Sequence, residues 1–401
     1  MHSERVLARF VLLFSLLYAA FGVLSPFFPS FLAARGLEPA SIAVVLAAGT
    51  AIRLLTAPLA GRIADRLNAP RAVLIVSIAG SSILTLGYLG GWGFGPLLTI
   101  SLASALFLGP VASLADVLAL GASAQSRGIG RKSFDYGLVR GAGSAAFIAG
   151  SLLAGQAIGY FGLSVTLALQ AGLLAGAALS AGLVPQQPLR HEEAPRLVVK
   201  SSRQAVLQLL AIPLYRRVAL VAALVLGSHA MHDSFAVIRW REAGLGPELI
   251  SLLWSESVAA EVVIFFVVGP RLLRRLGPAV SATICAGLGV LRWIVMAQTA
   301  WLPALLLVQP LHGFTFALLH LACMRLLSEI VPSGLAATGL TLFSTLAAIA
   351  SVLLTLLAGL LYGQLGPLSF LGMAGLCAIA LPLALTLKPT KNHVLPVDSS
   401  P

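Results

Sequence analysis

Eight ionisable side chains in the second half of the chain lie within long apolar stretches. They are His229, His232, Asp233, Glu256, Glu261, Arg292, His312 and His320. A charged group is costly in an apolar environment, so each such residue is a candidate for function and is expected to have a partner. A carboxylate can release and regain a proton, a neutral histidine can relay one, and an arginine favours the ionised form of an acid beside it. These residue types therefore predict proton transfer within the apolar part of the protein.

The spacing of the acids indicates which of them can act together. His229 and Asp233 are four residues apart and so share one face of a helix. Glu256 and Glu261 are five apart, about 140° around a helix axis, and we do not expect them to face the same place. Because Glu261 and Asp233 lie near the middle of their apolar stretches, Glu261 is the first candidate to carry a proton and Asp233 the second. Glu256, nearer one end, is a weaker candidate.

Arg292 is the single arginine among these candidates, and two interpretations of it stay open. Its approach to an acid and its withdrawal can drive proton release, because a nearby cation favours the ionised carboxylate. The alternative is that Asp233 and Glu261 merely neutralise Arg292 in a structural arrangement. His312 and His320 are eight residues apart, about 80° around a helix, so that both can line one cavity and contact a solute or relay a proton.

The first half of the chain has charged residues within apolar stretches at Arg53, Asp116 and Arg140. An arginine can hold a carboxylate or neighbouring hydroxyl groups through two parallel hydrogen bonds. Arg140 and Asp116 are therefore candidate substrate-binding residues, and a purely structural ion pair between them is the alternative. Arg53 has no partner close to it in the sequence, and we interpret it as structural.

The elements that position these residues are long apolar segments. Of the 401 residues, 58% are hydrophobic and 10% are charged, whereas soluble domains have about 25% charged residues. The composition excludes a water-soluble fold, and apolar segments of about 20 residues are helical spans of a lipid bilayer. We predict an all-α membrane protein with twelve transmembrane helices, at about residues 7–32, 41–64, 71–90, 95–121, 136–160, 164–184, 216–240, 250–270, 277–297, 301–326, 336–363 and 367–387.

Charge predicts the orientation. The net charge of +12 comes from basic residues in short loops, a distribution typical of cytoplasmic loops and not of nucleic-acid binding. With the N-terminus inside, the inner segments hold 20 of the 26 basic residues and the outer loops hold Arg35, Arg239 and Arg241. We therefore expect both termini in the cytoplasm and the protein in the inner (plasma) membrane. Neither a cofactor nor a metal is expected, since the three cysteines are dispersed in apolar segments.

A polar stretch from Gln186 to Arg217 separates six apolar segments from six. We predict an N-terminal six-helix lobe at residues 1–184, a cytoplasmic linker at 185–215, a second lobe at 216–387 and a disordered cytoplasmic tail at 388–401. Two such lobes commonly hold a substrate site between them near the middle of the membrane. A phosphate-binding loop motif is not present in the sequence, which disfavours transport driven by ATP in this chain.

A short motif follows the second and the eighth segments. The first copy has Gly61, Arg62, Asp65 and Arg66, with Arg71 close behind; the second has Gly269, Arg271, Arg274 and Arg275, with Leu273 at the acidic position. The glycines allow close helix approach, and Asp65 can cap a helix or pair with an arginine. We interpret the motif as a gate between the lobes; the alternative is a pair of ordinary basic loops.

This motif resembles the signature of the major facilitator superfamily, with Asn68 in place of a usual glycine. Residues 21–37, 49–66, 135–150 and 311–325 are similar to the phenylpropionate permease group, a relative of the lactose permease and nucleoside–proton symporter families. In the lactose permease pattern, Arg140 matches a sugar-binding arginine. The resemblance implies a two-lobed transporter, functional as a monomer, that moves an aromatic acid, a sugar or a nucleoside together with protons by alternating access.

Two other functions remain open from the sequence. One is export by proton antiport. The other is catalysis, since His229 and Asp233 form an H-x-x-x-D pattern that resembles an acyltransferase signature, and a histidine oriented by an aspartate can act as a general base. This short pattern lies inside an apolar segment without a companion motif, so we expect a transporter and not an enzyme.

Overall fold

A computed structural model of the chain describes residues 2–128, 134–186 and 202–387, and within them every regular element is helical. The first half contains α1 His2–Leu24, α2 Phe28–Ala34, α3 Pro39–Leu67, α4 Pro70–Gly87, α5 Phe94–Leu108, α6 Val111–Gly128, α7 Tyr136–Phe161 and α8 Val165–Ala181. The second half contains α9 Ser202–Ala211, α10 Pro213–Gly227, α11 His229–Glu242, α12 Pro247–Val263, α13 Gly269–Gln298, α14 Leu302–Val308, α15 Leu311–Gly313, α16 Leu319–Ile330, α17 Ala336–Leu365 and α18 Phe370–Leu385. Wider π-helical turns at Ile264–Val268 and Phe314–Leu318 join α12 to α13 and α15 to α16.

These helices form twelve membrane crossings in two six-helix lobes, which confirms the predicted fold class. Nine stretches of the described chain are long and apolar enough to cross a membrane, and Val165–Ala181 is a shorter apolar helix. Two of the nine, Pro247–Gln298 and Ser333–Leu385, have 52 and 53 residues and therefore each hold two crossings. The chain reverses within them at Gly277 (φ 76°) and Gly366 (φ 53°), a backbone conformation that glycine adopts without steric cost.

The linker is partly helical. Residues 187–201 of the predicted linker and the predicted tail at 388–401 lie outside the described residues. α9 belongs to the predicted linker segment and buries Ala205 and Leu209 against the second lobe. The second lobe then begins at Pro213, three residues before the predicted start, because proline is favoured in the first turn of a helix.

Four crossings of the described chain are interrupted, and they occupy the same place in each group of three. The first breaks around Pro26, the fourth around Pro110, the seventh at Ser228 and the tenth around Pro310. Proline removes a backbone donor and clashes with the preceding turn, which explains three of the four breaks. Such breaks in lipid-spanning helices are tolerated where the freed backbone faces protein or a cavity.

The two lobes pack together at one end of the bundle. We call the end with the Gly61–Arg71 motif the motif end, and the opposite end, with the turns at Gly93 and Gly162, the far end. At the far end Gly359 of α17 lies against Ala43 and the carbonyl oxygen of Pro39, so that a side chain at this position would collide with α3.

The apolar cores of the described chain agree with this arrangement. One core continues from the second lobe into the far-end residues of the first, including Phe31, Val45 and Ile158. The motif end of the first lobe has a separate core around Phe10, Phe14 and Leu74. In this conformation the lobes share a core toward the far end and have separate cores toward the motif end.

Candidate functional site

Two adjoining cavities lie between the lobes at the level of the helix breaks. Each has a volume of about 490 Å³, and both are lined by Ser25 and Asp233. The Arg53 cavity is lined mainly by first-lobe residues, including Arg53, and the His232 cavity mainly by second-lobe residues, including His232. A space of this size and mixed polarity suits a small organic molecule.

Three predicted residues of the second lobe form a chain of polar contacts. Nη1 of Arg292 is 3.2 Å from Nδ1 of His312, and Nε2 of His312 is 3.6 Å from Oε2 of Glu261. Arginine can only donate, so Nδ1 of His312 must accept this hydrogen bond and the proton of the neutral ring lies on Nε2. His312 thus presents its proton-bearing nitrogen to Glu261.

Arg292 has no ion-pair partner among the described residues, so the direct neutralisation by an acid that was one of its two interpretations is not seen in this conformation. Its side chain is fully buried, with its charge 4.5 Å from the ring centre of Trp293. Nη2 donates to Oε1 of Gln309 at 2.9 Å. Asp233 and Glu261 are therefore connected to Arg292 through histidines or open space and not by direct contact.

Asp233 lies at the boundary of the two cavities. Its side chain is 60% exposed to the cavity space although the helix around it is buried. Nδ1 of His232 is 3.1 Å from Oδ1 of Asp233, and the His232 ring stacks on Trp254 with centroids 4.9 Å apart. The carboxylate can therefore meet both a solute and the histidine cluster.

His229 belongs to the same cluster and lies beside His312. Its Nδ1 lies 3.1 Å from the carbonyl oxygens of Val225 and Leu226, which accept a hydrogen bond from it, and Nε2 is 3.0 Å from Oγ1 of Thr315. Its ring centre is 5.0 Å from that of His312. The pairing of His229 with Asp233 that helix spacing allows is absent from the contacts of the described residues, where His232 takes this role.

Glu256 and His320 lie apart from this cluster. Oε2 of Glu256 is buried and has no hydrogen-bond partner in the described part of the chain. The separation of Glu256 from the cluster agrees with the angle of about 140° between Glu256 and Glu261 around the helix axis. His320 is near enough to Glu261 for electrostatic interaction and lies beside the Phe265 ring. Neither residue is among those that line the two cavities.

Gln309 is a member of the site that sequence reasoning missed. Its Oε1 accepts from Arg292 and also from Ser257 Oγ at 2.9 Å, so it joins three helices of the second lobe. The signal available in the sequence was an amide side chain within an apolar segment, directly before Pro310, where the tenth crossing breaks. Trp254 was missed because a tryptophan in an apolar segment has no distinguishing pattern.

Arg140 of the first lobe lies in an ion pair with Asp116. Its Nη1 is 3.6 Å from Oδ1 of Asp116 and also donates to the hydroxyl of Tyr18. Tyr136 donates a 2.7 Å hydrogen bond to the same carboxylate oxygen. This arrangement matches the second interpretation from the sequence, a structural ion pair in which Arg140 and Asp116 compensate each other's charge.

The position of Arg53 differs from what we expect of the structural residue that the sequence indicated. It lines the cavity between the lobes, with Tyr88, Ser101 and Ser104 from other helices of the first lobe. Its hydrogen bonds go to the backbone oxygen of Gly49 at 3.3 Å and to Oγ1 of Thr50 at 3.4 Å, both within α3. A role in binding is therefore open to it.

The motif residues lie at the end of α3 and the start of α4. Asn68 ends α3 with φ 49°, the left-handed conformation that asparagine tolerates, so it replaces the usual glycine without loss of the turn. Nη1 of Arg71 donates to the carbonyl oxygen of Val184 at 3.1 Å and holds α4 to the end of α8. Asp65 is exposed and forms no ion pair with described residues, and no other helix of the described chain lies within 4 Å of the position that a Gly61 Cβ would occupy.

Twelve crossings in two lobes around central cavities of mixed polarity define a membrane transport protein with the major facilitator fold. Residues 7–371 match the MFS_1 like family. The chain is also 33% identical, over 93% of its length and 94% of the relative's, to the probable 3-phenylpropionic acid transporter of Escherichia coli (strain K12). The chain therefore belongs to the MFS_1-like family of transporters, and it is not an enzyme.

More distant proteins resemble the chain in sequence or in fold. The chain is 24% identical, over 80% of each protein, to multidrug resistance protein 2 of Bacillus subtilis (strain 168). The crystal structure of a mutant of the nucleoside transporter NupG superposes with a TM-score of 0.82 at 16% identity and covers 96% of this chain and 100% of that one. The D-xylose-proton symporter superposes with a TM-score of 0.65 at 15% identity, covering 97% and 98%.

Proposed function

We propose that this protein carries a small organic acid into the cell together with protons, by alternating access of the cavity between its lobes. The chain Arg292–His312–Glu261 is the observation that supports proton coupling. Because Arg292 occupies Nδ1 of His312, this ring takes up a second proton only if it releases Arg292. Proton arrival and rearrangement of the buried arginine are thereby linked.

The proton sites adjoin the space for the solute. His312 and Asp233 line the His232 cavity, and Asp233 also lines the Arg53 cavity. A bound solute is therefore beside groups whose charge changes with protonation. Among the solute classes, an aromatic acid is favoured, because the relative with 33% identity is named for 3-phenylpropionic acid and Phe21, Phe28 and Phe147 line the Arg53 cavity.

The orientation that we propose places the motif end and both termini in the cytoplasm of the cell that holds the protein in its inner membrane. The described arginines of the far end are Arg35, Arg239 and Arg241, whereas the motif end carries most of the remaining basic residues. With this orientation the conformation is closed to the outside. A cysteine introduced at Gly246 should react with an impermeant thiol reagent in whole cells and one at Arg274 should not; labelling at both positions would contradict it.

The lobes at residues 1–184 and 216–387 act as the two moving bodies, and the motif residues Gly61, Arg62, Asp65, Arg66 and Arg71 form the gate between them. In this conformation Asp65 is free of ion pairs with described residues, which fits a gate that is open. Because a single chain contains the whole cavity, a monomer is sufficient for transport.

Transport in proteoliposomes tests this function. Liposomes with purified protein and an acidic exterior should accumulate labelled 3-phenylpropionate above the level that the acid reaches by passive equilibration across the same pH gradient. A protonophore should abolish the accumulation. The second candidate is export by proton antiport, favoured by the likeness to multidrug resistance protein 2. Under antiport the same solute accumulates with an acidic interior. Failure of every tested organic acid to move under either gradient would refute proton-coupled transport of acids.

A further inference from the structure

Arg53 is an uncompensated charge at the middle of the membrane-spanning region. It is the fifteenth of the 29 residues of α3, about 21 Å from the start of the helix. No carboxylate of the described residues lies within ion-pair distance of its guanidinium group. A charge at such a depth is costly unless something compensates it.

The other two mid-membrane arginines have different surroundings. Arg140 has the Asp116 carboxylate, and Arg292 is buried against Gln309, His312 and the Trp293 ring. The side chain of Arg53 is exposed to the cavity instead, and its bonds to Gly49 and Thr50 are long. Part of its hydrogen-bonding capacity, five N–H groups in a planar fork, is therefore directed to the cavity space.

Neutral polar groups surround Arg53 on one side of its cavity. The hydroxyl of Tyr88 is close to Ser101, Ser104 and the Arg53 charge. Tyrosine and serine hydroxyls can donate to an anion without introducing a competing negative charge. This half of the cavity is therefore built to accept negative charge.

The remaining wall of the cavity is largely apolar and aromatic, with Ser25 and Asp233 at the boundary to the His232 cavity. Phe21, Phe28 and Phe147 line it together with Leu46 and Leu108. Phe28 also packs edge-on against Tyr88, with ring centres 5.2 Å apart, so aromatic surface continues up to the polar groups. A ligand that matches both walls has an anionic head and an apolar, aromatic body.

We propose that Arg53 and Tyr88 form the carboxylate-binding subsite of the transport cavity, with the aromatic body of the solute against Phe28 and Phe147. This subsite rests on the proposed transport function and assigns its substrate class as aryl monocarboxylates. The guanidinium fork holds both carboxylate oxygens through parallel hydrogen bonds. Arg53 thereby discriminates acids from neutral sugars, nucleosides and amides, and Arg140 does not take this role.

Binding to purified protein in detergent tests the subsite without transport. Calorimetry with three matched pairs, 3-phenylpropionate, benzoate and cinnamate against their primary amides, measures the preference for the carboxylate. We expect wild-type protein to prefer at least one acid, and Arg53→Gln to weaken binding of that acid by about ten- to a hundredfold while leaving its amide unchanged. Arg53→Lys should recover only part of the preference, because an ammonium group lacks the planar fork.

Two controls separate binding from folding. Arg217→Gln, an exposed arginine away from the cavities, should leave binding unchanged. Arg53→Gln should unfold at the same or a higher temperature than wild type, since it removes an uncompensated charge; a structural arginine would give the opposite shift. Equal affinity of wild-type protein for every acid and its amide, or an unchanged preference in Arg53→Gln, would overturn the subsite.

Failure of the subsite and failure of the proposed function are distinguishable. Accumulation of neutral solutes under a proton gradient, with Arg53→Gln as active as wild type, would refute the subsite and retain proton-coupled transport. Loss of the acid preference in Arg53→Gln together with absent proton-driven uptake in wild type would retain the subsite and refute the coupling.

Discussion

The guanidinium group of Arg292 donates to Nδ1 of His312 across 3.2 Å, and the opposite ring nitrogen faces Glu261 at 3.6 Å. The buried arginine thus determines which nitrogen of His312 carries the proton. If Arg292 formed an ordinary ion pair with an acid instead, either ring nitrogen of His312 could carry the proton. We therefore expect the proposed proton coupling to depend on this single histidine between the cation and the carboxylate.

Replacing His312 in two ways should separate its two contacts. His312→Asn keeps an acceptor for Arg292 but lacks the nitrogen that faces Glu261, so it should bind solute and lose proton-driven accumulation. His312→Leu removes both, leaves Arg292 short of a partner, and should also lower the free energy of unfolding by about 1–3 kcal/mol. Uptake in proteoliposomes and thermal unfolding measure the two effects. Accumulation by His312→Asn at the wild-type level would contradict the relay.

Neutralising the coupling acids should convert the protein from a concentrating transporter to an exchanger. Glu261→Gln, and more weakly Asp233→Asn, should abolish accumulation under a proton gradient but retain exchange of labelled for unlabelled solute, because exchange needs no net proton movement. Glu256→Gln is the matched control, since Glu256 lies outside the cluster in the described chain. If both Glu261→Gln and Asp233→Asn still concentrate the solute, the proton is carried elsewhere.

The Asp116–Arg140 pair should behave as a structural unit. Because each charge compensates the other, either single change, Asp116→Asn or Arg140→Gln, leaves a charge without its partner and should reduce transport. The double variant removes both charges and should regain a large part of the lost activity. Arg140→Lys should bind solute with nearly wild-type affinity. A strong loss of affinity in Arg140→Lys would instead assign Arg140 to the substrate.

The motif should act when the lobes close at the motif end. Asp65 is exposed and forms no ion pair with described residues in the present conformation, so Asp65→Asn should leave folding and solute binding unchanged. Its charge-assisted contacts form in the opposite state, and transport should therefore slow markedly. Wild-type transport rates in Asp65→Asn would show that Gly61–Arg71 is an ordinary basic loop.

Close packing at the far end should determine the balance between conformations. A Cβ at Gly359 would meet Ala43 and lie 2.9 Å from the Pro39 carbonyl oxygen, whereas one at Gly363 would be 3.9 Å from Pro39. Gly359→Val should destabilise the far-end-closed state by about 1–3 kcal/mol, and Gly363→Val by much less. Labelling of a cysteine at Ser25 from the far side, faster in Gly359→Val only, measures the shift. Equal labelling in both variants would argue against far-end closure by this contact.

The amino-acid sequence alone predicted the twelve crossings and the eight ionisable candidates of the second half, although Glu256 and His320 lie apart from the others. A bilayer requires apolar helices of a defined length, and a charge inside such a helix stands out against its surroundings. Both signals are local, so the pattern of residue types along the chain is sufficient to find them.

Only the tertiary structure decided which of these charges meet. Arg53 has no partner near it in the sequence, yet α3 and α4 bring it to Tyr88 at the wall of a cavity. For Arg140 the sequence left solute binding and an ion pair with Asp116 open, and α6 and α7 place it on Asp116. Beside Arg292 lies the amide of Gln309 and not an acid. These outcomes depend on how helices far apart in the chain pack side by side, which periodicity within one helix does not specify.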